Sequence, residues 1–144
     1  MARIKLSLPS SFAFKTEISV RVTDLNYGNH LANDAIVSFL HIARIHFLDA
    51  MGLTELNIGG DASLIQGDLA VVYGSEGFLG DVIEVSLAVE EISNSSFDIY
   101  YLLHNRSQNK ELARAKTRMV CFNYKERKVM RVPDSFKKRF ESPE

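Results

Sequence analysis

The sequence predicts an α+β fold in which one long helix packs against an antiparallel β-sheet. A helical pattern of apolar residues covers residues 33–52 and is the longest such pattern in the chain. Four β-prone segments follow it, joined by short turns, and a fifth precedes it. The chain has 144 residues, which suits one domain, so we expect a single domain over 1–144 with its core at about 15–141.

The composition restricts the class of protein. Apolar residues make up 46% of the chain and charged residues 24%, which is typical of a globular rather than a disordered protein. No apolar run approaches the roughly 20 residues of a membrane span, and the N-terminal stretch has no signal-peptide pattern, so we predict no membrane partner. The single cysteine, Cys121, allows no internal disulfide and favours a cytoplasmic protein.

The long helix is predicted from its ends as well as from its periodicity. Asn33 is a residue type that caps helices, Asp34 brings negative charge to the first turn, and Gly52 is a typical C-terminal stop. We expect Arg44, on the same helix, to be a buried partner of a carboxylate. The apolar residues at helical spacing are Ile36, Phe39, Leu40, Ala43, Phe47, Ala50 and Met51.

The strands are predicted from alternating apolar and polar residues. They cover residues 16–22, 64–73, 82–91, 97–104 and 112–124, and a short helix is expected at 134–140 after Pro133. Consecutive strands joined by short turns pair antiparallel, and a sheet wrapped around one helix is the hot-dog arrangement. Such a sheet leaves an edge uncovered, so we expect a homodimer or homotetramer. The aromatic residues predicted to lie in the core are Phe39, Phe47, Phe97 and Tyr101.

A polar loop between the first strand and the long helix resembles a family signature. Residues 24–33 read DLNYGNHLAN, which is similar to the D-x-D-x-x-G-H-x-N-N motif of the 4-hydroxybenzoyl-CoA thioesterase-like hot-dog proteins. The helix then reads His41-Ile42-Ala43-Arg44 where that family has an acid followed by Ala-Arg. The resemblance covers about residues 15–141. It implies hydrolysis of acyl-CoA or acyl-carrier-protein thioesters, with no cofactor besides the coenzyme A of the substrate.

The sequence departs from the family signature at its usual acids. The second Asp of the motif, which the family uses as nucleophile or general base, is Asn26 in this chain. An amide takes no proton at neutral pH. Plant relatives combine Asp, Asn, His and a helix Glu, and their His corresponds to His30. Their Glu and Asn positions hold Ile42 and Gly28.

The remaining residues of the loop suggest how thioester hydrolysis would run. His30 has the side chain best suited to act as general base. Asp24 would orient His30 or act on water, unless Asp24 and Asn26 are ordinary turn residues. The amides of Asn26 and Asn33, with the N–H groups at the helix start, would hold the thioester carbonyl. The catalytic residues predicted from the sequence are therefore Asp24, Asn26, His30 and Asn33.

Substrate binding is assigned to two regions. Tyr27, Gly28 and Asp34 belong to the loop, whereas a basic stripe alternates along the last long strand. That stripe suits the phosphates of coenzyme A, although solvated surface charge is the commoner reason for such a pattern. It lies in the basic part of the chain, because residues 111–144 carry 10 Lys or Arg against 5 Asp or Glu. The residues of the stripe are Arg114, Lys116 and Arg118.

Other functions are less well supported by the sequence. No nucleic-acid-binding module is evident, and His41 and His46 do not share a helix face, so no metal site is predicted. Asp24, Asn26 and His30 loosely resemble the D-x-N-P-x-H motif of enoyl-CoA hydratases, but Tyr27 replaces the proline and one extra residue precedes the histidine. A hydratase or dehydratase, and a non-catalytic acyl-CoA or lipid binder, remain the alternatives.

Overall fold

The computed structural model describes residues 3–141 as a sheet of six strands with one long helix. In chain order the elements are β1 (Phe14–Ser19), α1 (Asn33–Ala50), β2 (Ser63–Tyr73), β3 (Val82–Glu90), β4 (Ser96–Asn105), β5 (Lys110–Asn123), β6 (Lys128–Val129) and α2 (Asp134–Lys138). The sheet has the order β1-β3-β4-β5-β2, every pair is antiparallel, and β6 pairs with β5. The predicted α+β hot-dog arrangement is confirmed.

The core lies between α1 and one face of the sheet. The helix residues predicted as apolar supply much of it, and Phe39, Phe47, Phe97 and Tyr101 are all buried as expected. Along β4 the residues that face α1 alternate with residues on the opposite face of the sheet. The four fully buried residues of β4 that share the core with α1 are Phe97, Ile99, Tyr101 and Leu103.

The first strand ends earlier than the sequence predicts. Alternation continues to Val22, but β1 stops at Ser19, and Val22–Asp24 forms a 3₁₀ turn. The reason is local, because the Asp24 carboxylate accepts a hydrogen bond from the backbone N–H of Arg21 at 2.8 Å and closes the turn. Val22 is consequently exposed rather than half-buried. This turn directs the chain away from the sheet and into the polar loop.

The long helix has the predicted extent but not the predicted cap. Ala32 occupies the N-cap position and Asn33 is the first helical residue, with no side-chain cap hydrogen bond. The expectation that Asn33 caps the helix is therefore wrong. At the other end, Gly52 follows the helix with φ of +73°, a left-handed conformation that residues with a Cβ adopt at a cost. The predicted stop at Gly52 is confirmed.

A β-bulge in β2 changes which residues face α1. The pairing of β2 with β5 shifts register between Gln66 and Asp68, leaving Gly67 as the extra residue. Gln66 pairs with Met119 on the α1 side, whereas Asp68 pairs with Arg118 on the opposite face. Without the bulge these two side chains would share a face. The bulge therefore turns Gln66 toward the helix.

The last elements differ modestly from expectation. The short strand β6 is not predicted by the sequence pattern, and α2 ends at Lys138 rather than at residue 140. Phe136 of α2 is fully buried and packs against Phe97, with ring centroids 4.7 Å apart. Within residues 3–141, no helix is long and apolar enough to cross a membrane.

Candidate active site

The polar loop is a closed turn that rests on a second loop. The backbone N–H of Asn26 donates to the carbonyl of His30 at 2.9 Å, and Asn29 adopts a left-handed conformation with φ of +61°. Asparagine tolerates this conformation better than most residues. The N–H of Leu31 donates to the carbonyl of Gly77 at 2.7 Å. The loop that precedes α1 is thus fixed against the loop between β2 and β3.

Asn26 and His30 are brought together inside this turn. The Asn26 Oδ1 accepts a hydrogen bond from the N–H of Gly28 at 2.9 Å, so the amide nitrogen points the other way. That nitrogen lies 3.4 Å from Nδ1 and 3.5 Å from Nε2 of the half-buried His30 ring. A Cβ at Gly28 would come within 3.2 Å of Asn26 Oδ1 and 3.3 Å of the His30 ring. Gly28 therefore allows the two side chains to meet.

One tautomer of His30 suits its surroundings. Nδ1 lies 3.3 Å from the carbonyl oxygen of Leu31, which can only accept a hydrogen bond. A proton on Nδ1 satisfies that carbonyl and leaves the lone pair on Nε2. Nε2 is then an acceptor, and the amide nitrogen of Asn26, nearly equidistant from the two ring nitrogens, is not aligned with its lone pair. A general base requires such a ring nitrogen with a free lone pair, which this tautomer supplies.

Asp24 contacts Arg21 rather than His30. The residue is buried, with 6% exposed, and Oδ2 accepts hydrogen bonds from the backbone N–H and Nε of Arg21 at 2.8 and 3.3 Å. Oδ1 lies 3.3 Å from Nη2 of the same guanidinium. The backbone carbonyl of Asp24 accepts from the N–H of Ala32 at 2.9 Å. Asp24 thus holds both ends of the loop, and the predicted contact with His30 is not formed.

Two backbone N–H groups at the start of α1 have no hydrogen-bond acceptor among the described residues. No described group accepts a hydrogen bond from the N–H of Asn33 or of Asp34, and no side chain caps the helix. The Tyr73 hydroxyl donates to the carbonyl of Asn33 at 3.2 Å and so ties the helix start to the end of β2. The N–H groups at a helix N-terminus favour negative charge. This turn can therefore accept a developing oxyanion.

The other residues of the predicted site lie around this turn. Tyr27 and Asp34 are exposed, and Asn33 presents an exposed side chain in the first turn of α1. Ile42 stands where the resemblance implies an acid, and it packs against the core. Glu76 is exposed in the loop that supports Leu31. The side chains of Tyr27, Asn33 and Asp34 remain available at the surface of the site.

The basic stripe lies on the opposite face of the sheet. Ala115 and Thr117 face α1, so the alternating residues Arg114, Lys116 and Arg118 face away from it. Their charges are already paired, Arg114 with Glu111 and Arg118 with Asp98. Lys116 lies 3.0 Å from Asp68 and 3.7 Å from Asp98. The structure does not bring these cations together with the loop.

Three residues that matter to the site were given no role from the sequence. Arg21 neutralises Asp24, Asn29 provides the left-handed turn, and Gly77 supports Leu31. A Cβ at Gly77 would meet the Leu31 side chain at 3.2 Å, so glycine avoids a tight contact at this point. The spacing of Arg21 and Asp24 was the available signal, since residues three apart meet in a single turn. In the described part of the chain, no cluster of three or more His, Cys, Asp or Glu side chains is arranged to hold a metal.

The fold and the loop together define a hot-dog domain with a polar site at the start of its central helix. Residues 20–140 match the model of a family described as the thioesterase-like superfamily. The chain belongs to that superfamily.

Comparison with a curated protein agrees with this assignment. The 1,4-dihydroxy-2-naphthoyl-CoA hydrolase of Gloeothece citriformis is 36% identical over 58 residues. The match covers 40% of this chain and 41% of that enzyme. The chain therefore spans less than half the length of this curated relative.

Solved structures share the fold. The 1,4-dihydroxy-2-naphthoyl-CoA thioesterase Slr0204 from Synechocystis superposes with a TM-score of 0.79 at 24% identity, covering 88% of this chain and 94% of that one. PA2801 from Pseudomonas aeruginosa, described as a putative thioesterase, gives a TM-score of 0.82 at 19% identity and covers 91% and 100%. At these identities the likeness establishes the hot-dog fold.

Proposed function

We propose that the protein hydrolyses acyl-CoA thioesters to the free acid and coenzyme A, using the loop and the start of α1 as its active site. The observation that carries the proposal is the placement of His30, whose Nδ1 lies 3.3 Å from the carbonyl of Leu31, three residues before a helix start that has no side-chain cap. Membership of the thioesterase-like superfamily supports the same chemistry. Neither alternative function has comparable support.

The proposed reaction needs only water and groups of this chain. His30 Nε2 removes a proton from water as the water oxygen attacks the thioester carbon. The carbonyl oxygen becomes an oxyanion, which the N–H groups of Asn33 and Asp34 stabilise. Collapse of this intermediate breaks the carbon–sulfur bond, and the thiolate of coenzyme A takes the proton from His30. No cofactor is required beyond the coenzyme A of the substrate.

The other predicted site residues receive supporting roles in this proposal. The amide nitrogen of Asn26 lies 3.4 and 3.5 Å from the two ring nitrogens of His30 and holds the ring in place by this contact. Asp24 is a positioning residue, because Arg21 already compensates its charge. Tyr27, Gly28 and Asp34 would border the bound thioester.

Binding of coenzyme A phosphates by the basic stripe stays a prediction. Arg114, Lys116 and Arg118 already pair with acidic residues of the sheet. Those partners reduce the positive charge that a phosphate would meet. These ion pairs therefore favour a structural role for the stripe over binding of phosphate groups.

We further propose that the chain assembles as a homodimer through β2. Within residues 3–141, β2 pairs on one side only, with β5, so its other edge is open along 11 residues. Open edges of this length are usually covered by another chain. The candidate site lies beside this edge because Tyr73 of β2 contacts the start of α1. A tetramer and a cytoplasmic location are consistent extensions, the latter because Cys121 is a free buried thiol.

The proposal is tested by incubating the protein with a panel of acyl-CoA esters and measuring free thiol. Straight-chain, hydroxylated and aromatic acyl groups belong in the panel, including 1,4-dihydroxy-2-naphthoyl-CoA, together with one acyl-carrier-protein thioester. We expect catalytic thiol release from at least one acyl-CoA. Loss of enoyl absorbance without thiol release would instead identify a hydratase, and tight binding with neither reaction would identify a binding protein.

The role of Asn26 is tested separately by Asn26→Asp. Asp is the usual acid of the resembling family, and its carboxylate would accept a hydrogen bond from Gly28 as the amide oxygen does now. If water activation is the limiting requirement, we expect thioesterase activity to be kept or raised. A strong loss of activity with unchanged folding would show that the amide nitrogen of Asn26 is needed beside the His30 ring.

A further inference from the structure

Tyr73 places its hydroxyl at the start of α1. It is the last residue of β2 and pairs with Ala113, whose buried side chain belongs to the core. Residues paired across a sheet point to the same face, so the Tyr73 ring lies on the α1 side. The residue is 45% exposed, and its hydroxyl donates to the backbone carbonyl of Asn33 at 3.2 Å. Tyr73 therefore reaches the candidate site from a strand rather than from the loop.

Among the described residues, a single side chain bonds to the backbone of the first turn of α1. The N-cap residue Ala32 offers no polar side chain, and no side-chain cap is formed. Backbone bonds fix the preceding loop only as far as Ala32, which donates to the carbonyl of Asp24. The side chain that bonds to the first turn, residues 33–36, is Tyr73. Its hydroxyl thus fixes the direction of this turn relative to the sheet.

The carbonyl that Tyr73 contacts shares a peptide group with an available donor. The carbonyl of Asn33 and the N–H of Asp34 belong to one planar unit joined by resonance. A donor that draws electron density toward the carbonyl oxygen makes the N–H of the same unit more positive, so hydrogen bonds at the two ends strengthen each other. The N–H of Asp34 has no acceptor among the described residues, and it lies where a negative charge is favoured.

We infer that Tyr73 is a positioning residue whose hydroxyl polarises the Asp34 N–H and orients it toward the carbonyl oxygen of the bound thioester. The inference rests on the proposed thioesterase function and adds to its site a residue outside the loop and the helix. Tyr73 acts through the peptide group of Asn33 and Asp34 rather than by touching the reacting atoms. The charge on the thioester oxygen grows as the oxyanion forms, so a stronger donor favours the transition state over the bound substrate.

A purely structural role of this hydroxyl would give a different result. The contact is half exposed, and water can replace the hydroxyl, so its loss should change stability little. Tyr73→Phe removes only the oxygen and keeps the ring. If the hydroxyl served the fold alone, this variant would lose activity only to the extent that it unfolds. Thermal unfolding of the variant therefore accompanies each measurement below.

The first measurement is steady-state thiol release by Tyr73→Phe with the best acyl-CoA substrate. We expect kcat to fall about tenfold, less than the roughly 100- to 1,000-fold loss that follows removal of a whole oxyanion donor. KM should stay unchanged, which is the pattern of an interaction that strengthens in the transition state. Incorporating 3-fluorotyrosine at position 73 makes the hydroxyl a stronger donor without changing the fold. Its kcat should equal or exceed the wild-type value.

The second measurement needs no turnover. The ligand is an acyl-CoA analogue in which a methylene group replaces the thioester sulfur, so the carbonyl is kept and no thiol can leave. Its acyl group is the one that the panel shows to be turned over fastest or, without turnover, bound most tightly. Isotopic labelling of the carbonyl carbon allows its stretching frequency in the bound state to be recorded by difference infrared spectroscopy. We expect a higher frequency in Tyr73→Phe than in the wild type, because the Asp34 N–H becomes a weaker donor.

Tyr124→Phe is the matched control. Tyr124 is 47% exposed, follows the last residue of β5, and its hydroxyl bonds to no described residue. Since β5 runs from Ala113, the partner of Tyr73, to this end of the sheet, the two tyrosines lie roughly 30 Å apart at 3.3 Å per residue. The control should keep kcat within about twofold of wild type, as for surface substitutions. Its carbonyl frequency should equal the wild-type value.

The possible failures are distinguishable. An unchanged kcat in Tyr73→Phe, or a carbonyl frequency equal to that of the wild type, would overturn the inference about Tyr73. No saturable binding of the analogue to the wild-type protein would overturn it as well. Because the analogue is not cleaved, a raised frequency without thiol release from any acyl-CoA would refute hydrolysis and support the polarised donor. Thiol release with an unchanged kcat and frequency in the variant would refute only the role of Tyr73.

Discussion

Two polar regions along α1 are built differently. In the loop before the helix, the His30 ring makes contacts of 3.3 to 3.5 Å with Leu31 and Asn26. In the middle of the helix, Arg44 bonds to Tyr101 and Tyr101 to Thr117 at 3.0 and 2.8 Å. The contacts of the first set are long and partly exposed, and those of the second are short and buried. Only the first set leaves an acceptor nitrogen, Nε2 of His30, free for proton transfer.

This difference separates groups that hold the helix from groups that can act on a ligand. Burial opposes the charge of Arg44, but the Tyr101 hydroxyl and the Glu55 carboxylate outweigh this effect and hold its pKa above the ordinary value. For Tyr101, burial itself raises the pKa above its ordinary value. Both groups therefore keep one protonation state at neutral pH. The network fixes the middle of α1 on the sheet, and the loop is free to carry out proton transfer.

The largest effect is expected from removing the ring in the loop. His30→Ala should lower kcat/KM for the best acyl-CoA substrate by about 100- to 10,000-fold, the contribution of a general base. Folding should be unaffected because the ring makes only long contacts. The measurement is steady-state thiol release together with thermal unfolding.

His46→Ala is the control for this variant. His46 lies on α1, is exposed, and contacts Thr16 at 2.8 Å, away from the loop. Its removal should leave activity within about twofold, as for surface substitutions. Near-normal activity of His30→Ala would remove His30 from the mechanism and direct attention to Asp34 and Glu76.

The next largest effect is expected in the buried network. Tyr101→Phe removes one hydroxyl and leaves Arg44 Nη1 and Thr117 Oγ1 without a partner. Because an unsatisfied buried polar group costs about 1 to 3 kcal/mol, we expect the free energy of unfolding to fall by about 2 to 4 kcal/mol. Chemical denaturation at neutral pH measures this change.

Tyr100→Phe tests whether the loss belongs to the network. Tyr100 is the preceding residue in β4, lies on the other face of the sheet, and its hydroxyl bonds to no described residue. We expect its free energy of unfolding to stay within about 0.5 kcal/mol of wild type. Equal losses in both variants would mean that the network contributes nothing specific.

The fold was largely predictable from the sequence because its elements depend on local patterns. Alternation predicts β2 to β5, and apolar spacing with Gly52 predicts α1 to within two residues. The errors arose where a side chain or an extra residue overrides alternation. Asp24 closes a turn that ends β1 early, and Gly67 forms the bulge that reverses the facing of Gln66 relative to Asp68. Neither effect is visible in the periodicity of a single chain.

The site was predictable as a region but not as a set of contacts. Spacing placed Asn26 and His30 in one loop, and the structure brings their side chains together. The sequence could not show that Arg21 holds Asp24, since the turn that joins them depends on where β1 ends. It also could not show that acidic partners from three strands pair with the basic stripe. The pairs with Asp68 and Asp98 depend on strand register, which local sequence does not determine.

Asp81 allows a test of how the loop between β2 and β3 supports the loop before α1. Its Oδ2 accepts hydrogen bonds from the N–H of Phe78, the amide of Asn105 and the amide of Gln108 at 2.8 to 3.1 Å. Burial alone would raise its pKa, but these three donors outweigh burial and lower the pKa below its ordinary value. Through Phe78 this carboxylate shapes the loop whose Gly77 receives the N–H of Leu31.

The smallest effect is therefore expected from Asp81→Asn. At pH 7 the variant should unfold about 1 kcal/mol more easily, because a neutral amide oxygen accepts these bonds less strongly than a carboxylate. A lowered pKa in the folded state means that the stabilisation is present above the ordinary Asp pKa of about 3.9. It is lost as the pH falls through the folded-state value. The gap between wild type and variant should thus close in acid, as measured by denaturation between neutral pH and roughly pH 2.

Asp61→Asn is the control for this pH dependence. Asp61 is exposed and accepts only one bond, from Asn57 at 3.5 Å, so its replacement should change stability little at any pH. A gap for Asp81→Asn that stayed constant down to acid pH would show that the charge of Asp81 contributes nothing. A gap that closed in acid, together with a parallel loss of His30-dependent activity at pH 7, would establish that the tightly paired carboxylate positions the loosely held loop. Asp81 would then act on the loop before α1 through Gly77 and Leu31.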